Sequence, residues 1–250
     1  MDLLKEVTLG SLRDTLVRLE DTITFAFIER AQFCTNQKIY EPGALAFDTG
    51  FNGTFLEYFL HEVETVHAKV RRYTSPDEYP FSKDLPNPVI PELNFPAYLK
   101  TNDINLNPKL YKIYVEKIVP AITKPGDDQN YGTSATRDVE VLQALSRRIH
   151  YGKFIAEAKF RDPKLQPKYI ELIKCRDSVG IEALLTNTTV EEKLLRRLVK
   201  KATIYGASPI HSQSDRLKIQ PNVVSQVYKE FIIPLTKEVE VEYLLKRLDD

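Results

Sequence analysis

Two cysteines, Cys34 and Cys175, stand far apart in 250 residues, and no C-x-x-C pair occurs. Neither a disulfide framework nor a zinc site is indicated, and a reducing compartment suits the chain. Net charge is also lacking: 35 basic residues face 35 acidic ones. That balance argues against a general nucleic-acid binder, since such domains carry a net basic surface. Any anion site must then come from local clustering. No run approaches the roughly 20 apolar residues of a membrane-spanning helix. Residues 1–6 mix acids with bases and lack the apolar core of a secretory or transit peptide. A soluble, cytoplasmic protein is expected. Familiar catalytic signatures are missing too. His61, His67, His150 and His211 form no H-E-x-x-H pair, and there is no G-x-G-x-x-G, Walker phosphate loop or G-x-S-x-G elbow. No metal, nucleotide cofactor or covalent nucleophile is indicated.

What is present is helical patterning. The stretch Ser146-Arg-Arg-Ile-His-Tyr-Gly-Lys-Phe-Ile-Ala-Glu-Ala-Lys-Phe160 is rich in helix formers, with Gly152 the one weak member. At helical spacing Arg148, Gly152, Ile155 and Lys159 share a stripe. The two cations then lie about 16 Å apart along the axis. They bound a shallow trough suited to a small anion with more than one carboxylate. On spacing alone a plainer explanation is favoured: a solvated basic face on which Gly152 admits a neighbouring helix.

Along the chain, Ser11 and Asp14 resemble a capping box ahead of a helix reaching about Cys34, with Leu12, Leu16, Leu19, Ile23 and Phe27 inward. Arg13 lies one position off that stripe. A second helix is expected from about Thr54 to Tyr73, with Phe55, Phe59, Val63, Val66 and Val70 inward. Between residues 74 and 108 fall Pro76, Pro80, Pro86, Pro88, Pro91, Pro96 and Pro108, too dense a set for helix. This reads as a long ordered connection that packs down through Tyr79, Phe81, Phe95 and Tyr98; a disordered linker is the alternative.

Helix resumes near Lys109. After a loop at residues 125–132, Thr133, Ser134 or Thr136 could cap a long helix running through to Phe160. Asp162-Pro163 signals another helix start. A later helix spans about Thr189 to Tyr205 and stops at Gly206. Residues 213–218 form a polar loop, and the last helix begins near Pro221. Its tail Lys237-Glu-Val-Glu-Val-Glu242 alternates like a strand but has no comparable partner strand, so helix is read. Pro234 should remove one hydrogen bond and bend the axis. Tyr114-Val-Glu-Lys-Ile-Val-Pro120 faintly echoes Tyr228-Lys-Glu-Phe-Ile-Ile-Pro234. The class expected is all-α: a single multi-helix domain over residues 1–250, with long central and C-terminal helices. Polar pairs at helical spacing remain as site candidates: Arg148 and Lys159, Asn187 and Glu191, Thr236 and Glu240. For any one pair, solvated surface is the simpler reading.

The Ser146–Phe160 stretch, Val190-Glu-Glu-Lys193 and the tail Ile233-Pro-Leu-Thr-Lys-Glu-Val-Glu-Val-Glu-Tyr-Leu-Leu245 resemble the allosteric chorismate mutases of fungi. Ile28-Glu-Arg30, Ser75-Pro-Asp-Glu78 and Ala135-Thr-Arg-Asp138 extend the resemblance over nearly the whole chain. It implies an isomerase, with its active site in a helical bundle, that converts chorismate to prephenate without a cofactor. The reaction is a pericyclic rearrangement on the route to phenylalanine and tyrosine. It implies that Arg13 and Arg148 bind the two substrate carboxylates and that Lys159 meets the ether oxygen. A protonated Glu240 would donate to that oxygen from its other side, while Glu191 takes the ring hydroxyl and Asn187 and Thr236 complete the lining. By composition Glu238, Glu240 and Glu242 are interchangeable, as are Glu191 and Glu192; only the resemblance chooses.

The resemblance also implies a homodimer, inhibited by tyrosine and activated by tryptophan at a site shared between subunits. The matching positions are Val70, Arg71, Arg72, Asn130, Gly132, Thr133 and Thr136. Three departures stand out: Gln129 where asparagine is usual, Thr133 where serine is usual, and Gln220 in place of a threonine tied to the switch. The competing reading is a non-catalytic helical module that binds aromatic amino acids or partner proteins.

Overall fold

The computed structural model describes residues 7–45, 50–91, 93–207 and 218–249. Residues 1–6, His211 and residues 213–217 of the expected polar loop lie outside the described residues. The helices are α1 (Leu9–Arg30), α2 (Phe55–Lys69), α3 (Asn107–Ile113), α4 (Val119–Ile122), α5 (Tyr131–His150) and α6 (Gly152–Phe160). After them come α7 (Gln166–Lys174), α8 (Ser178–Leu185), α9 (Thr188–Gly206), α10 (Pro221–Val227) and α11 (Ile233–Leu245). Among the described residues no strand occurs, only one isolated bridge between Cys34 and Lys124. The class is all-α, and the alternating tail is helical.

Several local expectations shift. The capping box of α1 is formed by Thr8 and Ser11: the Ser11 amide donates to Thr8 Oγ1 at 3.1 Å and the Thr8 amide to Ser11 Oγ at 3.1 Å. Ser11 thus plays the part usually given to Glu or Gln, and Asp14 takes none. On α2 the inward face is Leu56, Leu60, Glu64 and Ala68, whereas Val66 and Val70 are exposed. The buried Glu64 carboxylate accepts the amides of Phe81 (2.9 Å) and Ser82 (2.7 Å). Phe55, Phe59 and Val63 flank that stripe, partly buried against the same core as expected.

Thr133, Ser134 and Thr136 all lie inside α5, whose N-cap is Asn130. The expected continuous helix to Phe160 is interrupted at Tyr151, just before the weak helix former Gly152. Asp162 opens a turn, its carbonyl accepting Gln166 N–H at 2.9 Å, and α7 starts only at Gln166. Gly206 is the last residue of α9 and lies buried; the capping position belongs to Ala207.

The two proline segments that echo each other in sequence also match in backbone. Tyr114–Ile118 and Tyr228–Ile232 are each one π turn, in which Val119 N–H bonds Tyr114 O and Ile233 N–H bonds Tyr228 O. The wider turn accommodates the ring of Pro120 or Pro234 and its missing donor, so the helix continues through the proline.

The described residues between 75 and 106 hold no helix, yet they are pinned at many points. Asp77 accepts from Arg147 Nε at 2.8 Å, and Tyr79 stacks on His150 with ring centroids 4.3 Å apart. The buried Lys153 ammonium donates to Ile104 O (2.6 Å) and Tyr79 Oη (2.9 Å). The largest apolar core joins α1, α2, α5, α9 and α10. A second lies among α6, α7, α8 and α11, and a third under Leu12, Tyr151, Phe154 and Ile155.

Within the largest core, Arg30 Nε donates to Asp138 at 2.6 Å with both side chains fully buried. The hydroxyls of Tyr40 and Tyr114 donate to the same carboxylate at 2.7 and 2.6 Å. Asp138→Ala leaves the Arg30 charge buried without its partner. Urea denaturation of that variant should show a loss of about 3–5 kcal/mol.

Candidate active site

The site begins with an approach of two helices. A Cβ at Gly152 would lie 3.0 Å from the Thr236 carbonyl oxygen and 3.1 Å from Glu240 Cγ. Only a residue without a side chain lets α11 pack this closely on α6. Gly152 is thus the helix contact that spacing favoured, and Ile155 forms the cavity wall. The approach sets Thr236 and Glu240 opposite Arg148 and Lys159 around a cavity of about 150 Å³. Asn187, Glu191 and Lys237 complete its polar lining, with Leu16, Ile155, Leu185, Val190, Leu194 and Ile233 as apolar walls.

Arg148 is 5% exposed. One of its terminal nitrogens donates to Thr236 Oγ1 at 3.3 Å, and its buried Nε has no partner. Among the described residues no carboxylate pairs with it. Thr236 spends its own proton on Ile232 O at 2.7 Å, so its oxygen is free to accept from Arg148. Lys159 Nζ is steered by Leu185 O at 2.7 Å, at the end of α8. Asn187 caps α9, its Oδ1 accepting Val190 N–H at 3.1 Å, which leaves the amide NH₂ available. Glu191, in the first turn of α9, pairs with Lys237 at 2.9 Å.

Glu240 is 8% exposed and makes no protein hydrogen bond among the described residues. Burial pushes its carboxyl up to about 6, against the opposing charges of Lys159, Arg148 and Lys237 and with help from Glu191. The geometry also separates residues that composition left equal. Glu238 pairs with Lys109 at 2.5 Å, away from the cavity, and Glu192 faces Arg196 on the surface.

Arg13 is exposed and absent from the lining. It lies one helical turn before Leu16, which does line the cavity. Lys237 was missed, although the signal existed: Ile233, Thr236, Lys237 and Glu240 follow i, i+3, i+4, i+7 spacing. Two larger hollows, of about 480 and 530 Å³, hold cations that are exposed (Lys83) or already paired (Arg72 with Glu78, Arg147 with Asp77). Of these three hollows, the smaller one holds the buried cation without a counterion. Among the described residues no three His, Cys, Asp or Glu side chains converge as a metal ion requires.

The positions matched to the effector site divide into two groups. Val70 is exposed, and Arg71, in the left-handed region at φ 58°, donates to Pro91 O. Arg72 bonds Glu78, Gln143 and His67. Asn130, Gly132 and Thr133 are exposed at the start of α5, and Thr136 Oγ1 donates to Gly132 O at 2.9 Å. Gln143, which Arg72 touches, lies 13 residues beyond Asn130, about 20 Å along the helix. One chain does not bring the two groups together. Gln129 adopts φ 65°, and Gln220 is the N-cap of α10 without a side-chain capping bond.

Gly152→Ala tests the helix contact. The added methyl must push Thr236 and Glu240 outward, because a backbone carbonyl cannot step aside cheaply. Thermal or chemical denaturation should show a loss of about 1–3 kcal/mol. Loosened placement of the lining should also lower kcat/KM by about a hundredfold.

Known proteins resemble this chain over its whole length. The family profile described as chorismate mutase type II matches residues 130–241, from the start of α5 into α11. The chain is 47% identical over 259 residues to the chorismate mutase of Saccharomyces cerevisiae, with all of both chains covered. It is 44% identical over 258 residues to chloroplastic chorismate mutase 1 of Petunia hybrida, covering 100% of this chain and 78% of that protein. Among solved structures, Candida albicans chorismate mutase in complex with L-Trp superimposes with a TM-score of 0.93 at 45% identity, covering 100% of this chain and 96% of that one. The AtCM1 structure with tyrosine bound in its allosteric site superimposes with a TM-score of 0.88 at 44% identity, covering 97% of each. With such identity over its full length, the chain belongs to the chorismate mutase family, of the all-helical type.

Proposed function

We propose that the chain is an isomerase that rearranges chorismate to prephenate, breaking the ether C–O bond as a C–C bond forms. The observation that carries this reading is Arg148: a buried guanidinium without a carboxylate partner, across a small cavity from Lys159 and a protonatable Glu240. A dianion supplies the missing counter-charge. Arg148 takes one carboxylate through charge-assisted hydrogen bonds, and Arg13, one helical turn before Leu16, takes the other. These contacts hold the flexible substrate in the compact conformer from which its two reacting carbons can meet.

Negative charge grows on the ether oxygen as the C–O bond lengthens. Lys159 and the Glu240 proton face that oxygen from two sides, and both interactions strengthen on the way to the transition state. Glu191 accepts the ring hydroxyl, with Asn187 and Thr236 supporting. The reaction then needs only placed charges and hydrogen bonds, with no cofactor.

Arg148→Ala should lower kcat/KM by at least about a hundredfold, since a charge-assisted contact to the substrate is lost. The pH profile tests Glu240. The carboxyl must be protonated to donate, so kcat/KM should fall as pH rises through about 6. Glu240→Gln carries a permanent donor and should lose that fall. Chorismate consumption followed by absorbance checks both, and unchanged turnover in Arg148→Ala would sink the site assignment.

Regulation by aromatic amino acids is part of the proposal. Relatives carry L-Trp in a complex, and tyrosine or phenylalanine in an allosteric site. The separation of Arg71 and Arg72 from the start of α5 suits a site completed by a second copy, hence a homodimer. Exposed Val66, Val70, Val89 and Ile90, gathered near Arg71, suit burial against that copy. One domain over residues 1–250 in the cytoplasm is the setting proposed, without nucleic-acid or membrane partners; no helix among the described residues is long and apolar enough to cross a membrane. At subsaturating chorismate, tyrosine should lower the rate and tryptophan raise it. Superimposable rate curves with and without the two amino acids would remove the regulatory claim.

A further inference from the structure

Lys237 lies within the cavity lining, between two carboxyl groups. Its ammonium pairs with Glu191 at 2.9 Å, with the two side chains 21% and 30% exposed. Lys237 belongs to α11 and Glu191 to the first turn of α9, so the pair ties these two helices together at the cavity. The rearrangement asks opposite things of the two glutamates there. One must accept a hydrogen bond from the ring hydroxyl, and the other must donate one to the ether oxygen. Two acids of the same kind can divide such tasks only if their surroundings differ. They do differ: Glu191 has a cation at contact distance, whereas Glu240 is buried without a protein hydrogen bond.

We propose that Lys237 is a positioning residue for the rearrangement: it holds Glu191 in place as the carboxylate acceptor of the ring hydroxyl and leaves Glu240 as the donor. The inference rests on the chorismate reading above. Lys237 acts through Glu191 and need not touch the substrate.

Its charge also bears on Glu240. The groups facing Glu240 are Arg148 from α5, Lys159 from α6, Tyr169 from α7, Glu191 from α9 and Lys237 on its own helix. The three cations favour the ionised carboxylate, and burial and Glu191 oppose it. Removing the Lys237 charge therefore lets Glu240 keep its proton to higher pH.

Steady-state kinetics across pH for the wild type, Lys237→Met, Lys237→Arg, Glu191→Gln and the Lys237→Met/Glu191→Gln double variant test this. Methionine keeps the apolar stem of lysine and removes the charge. Lys237→Met should raise KM for chorismate about tenfold with a smaller change in kcat. Its falling limb of kcat/KM should move to higher pH, and Lys237→Arg should restore both. The double variant should lose no more than about twofold beyond Glu191→Gln, because one interaction is being removed twice. Additive losses, or an unchanged KM and pH limb, would overturn the role of Lys237 while wild-type turnover stands. A wild type without turnover would instead overturn the chorismate reading itself, and this role with it.

Discussion

The backbone of α11 comes against α6 so closely at Gly152 that a methyl group there would meet the Thr236 carbonyl oxygen at 3.0 Å. Most of the site follows from this contact. Thr236 and Glu240 reach Arg148 and Lys159 only because the two helices touch without an intervening side chain. The π turn at Tyr228–Ile232 is the second condition. One extra residue in that turn rotates everything after it by about 100° relative to an unbroken α-helix. The face carrying Ile233, Thr236, Lys237 and Glu240 points into the cavity in that rotated register. Pro234 is therefore more than a bend, because it marks the place where α11 acquires its orientation.

Three of the cavity's charged groups are not matched by one another. Arg148 is buried with an unpartnered Nε, Lys159 is satisfied by a neutral carbonyl, and Glu240 resists ionisation. Several other buried charges among the described residues are matched by an opposite charge. Arg30 has Asp138, and Glu20 holds Arg197 at 2.7 Å; the Glu157 carboxylate accepts Tyr243, Arg161 and Arg247. Leaving a buried cation unmatched costs stability unless a ligand completes it. An unpartnered guanidinium nitrogen beside a cavity distinguishes this site from those matched pairs.

The proline-rich connection braces the other side of α5 and α6. Asp77 holds Arg147, the neighbour of Arg148, and Tyr79 covers His150 and Lys153. Burial pushes His150 down to about 4 and Lys153 down to about 7, so much of this brace relies on neutral or weakly charged hydrogen bonds. A rigid backing of this kind suits chemistry that depends on fixed charges rather than on a moving catalytic group.

Helix existence and class were legible in the sequence because apolar spacing, caps and prolines act over a few residues. Resemblance supplied the residues of the cavity, while their spacing had favoured plain surface. Boundaries were less legible: Asp162-Pro163 made a turn, and the central helix broke at Tyr151. The inward face of α2 was legible only in part: Phe55, Phe59 and Val63 do pack on the core, but Val66 and Val70 do not, and Glu64 is buried to accept two amides of the following connection, a partnership no local pattern records. Lys237 was missed although its helical spacing was readable. By itself the sequence determined an all-helical chain with cations and carboxyls at helical intervals. Only the tertiary structure decided which of them face one another. Burial, ion pairing and the register of α11 depend on contacts between segments far apart in the chain: Glu240 was set apart from Glu238, Glu191 from Glu192, and Gly152 became the point on which the two helices close.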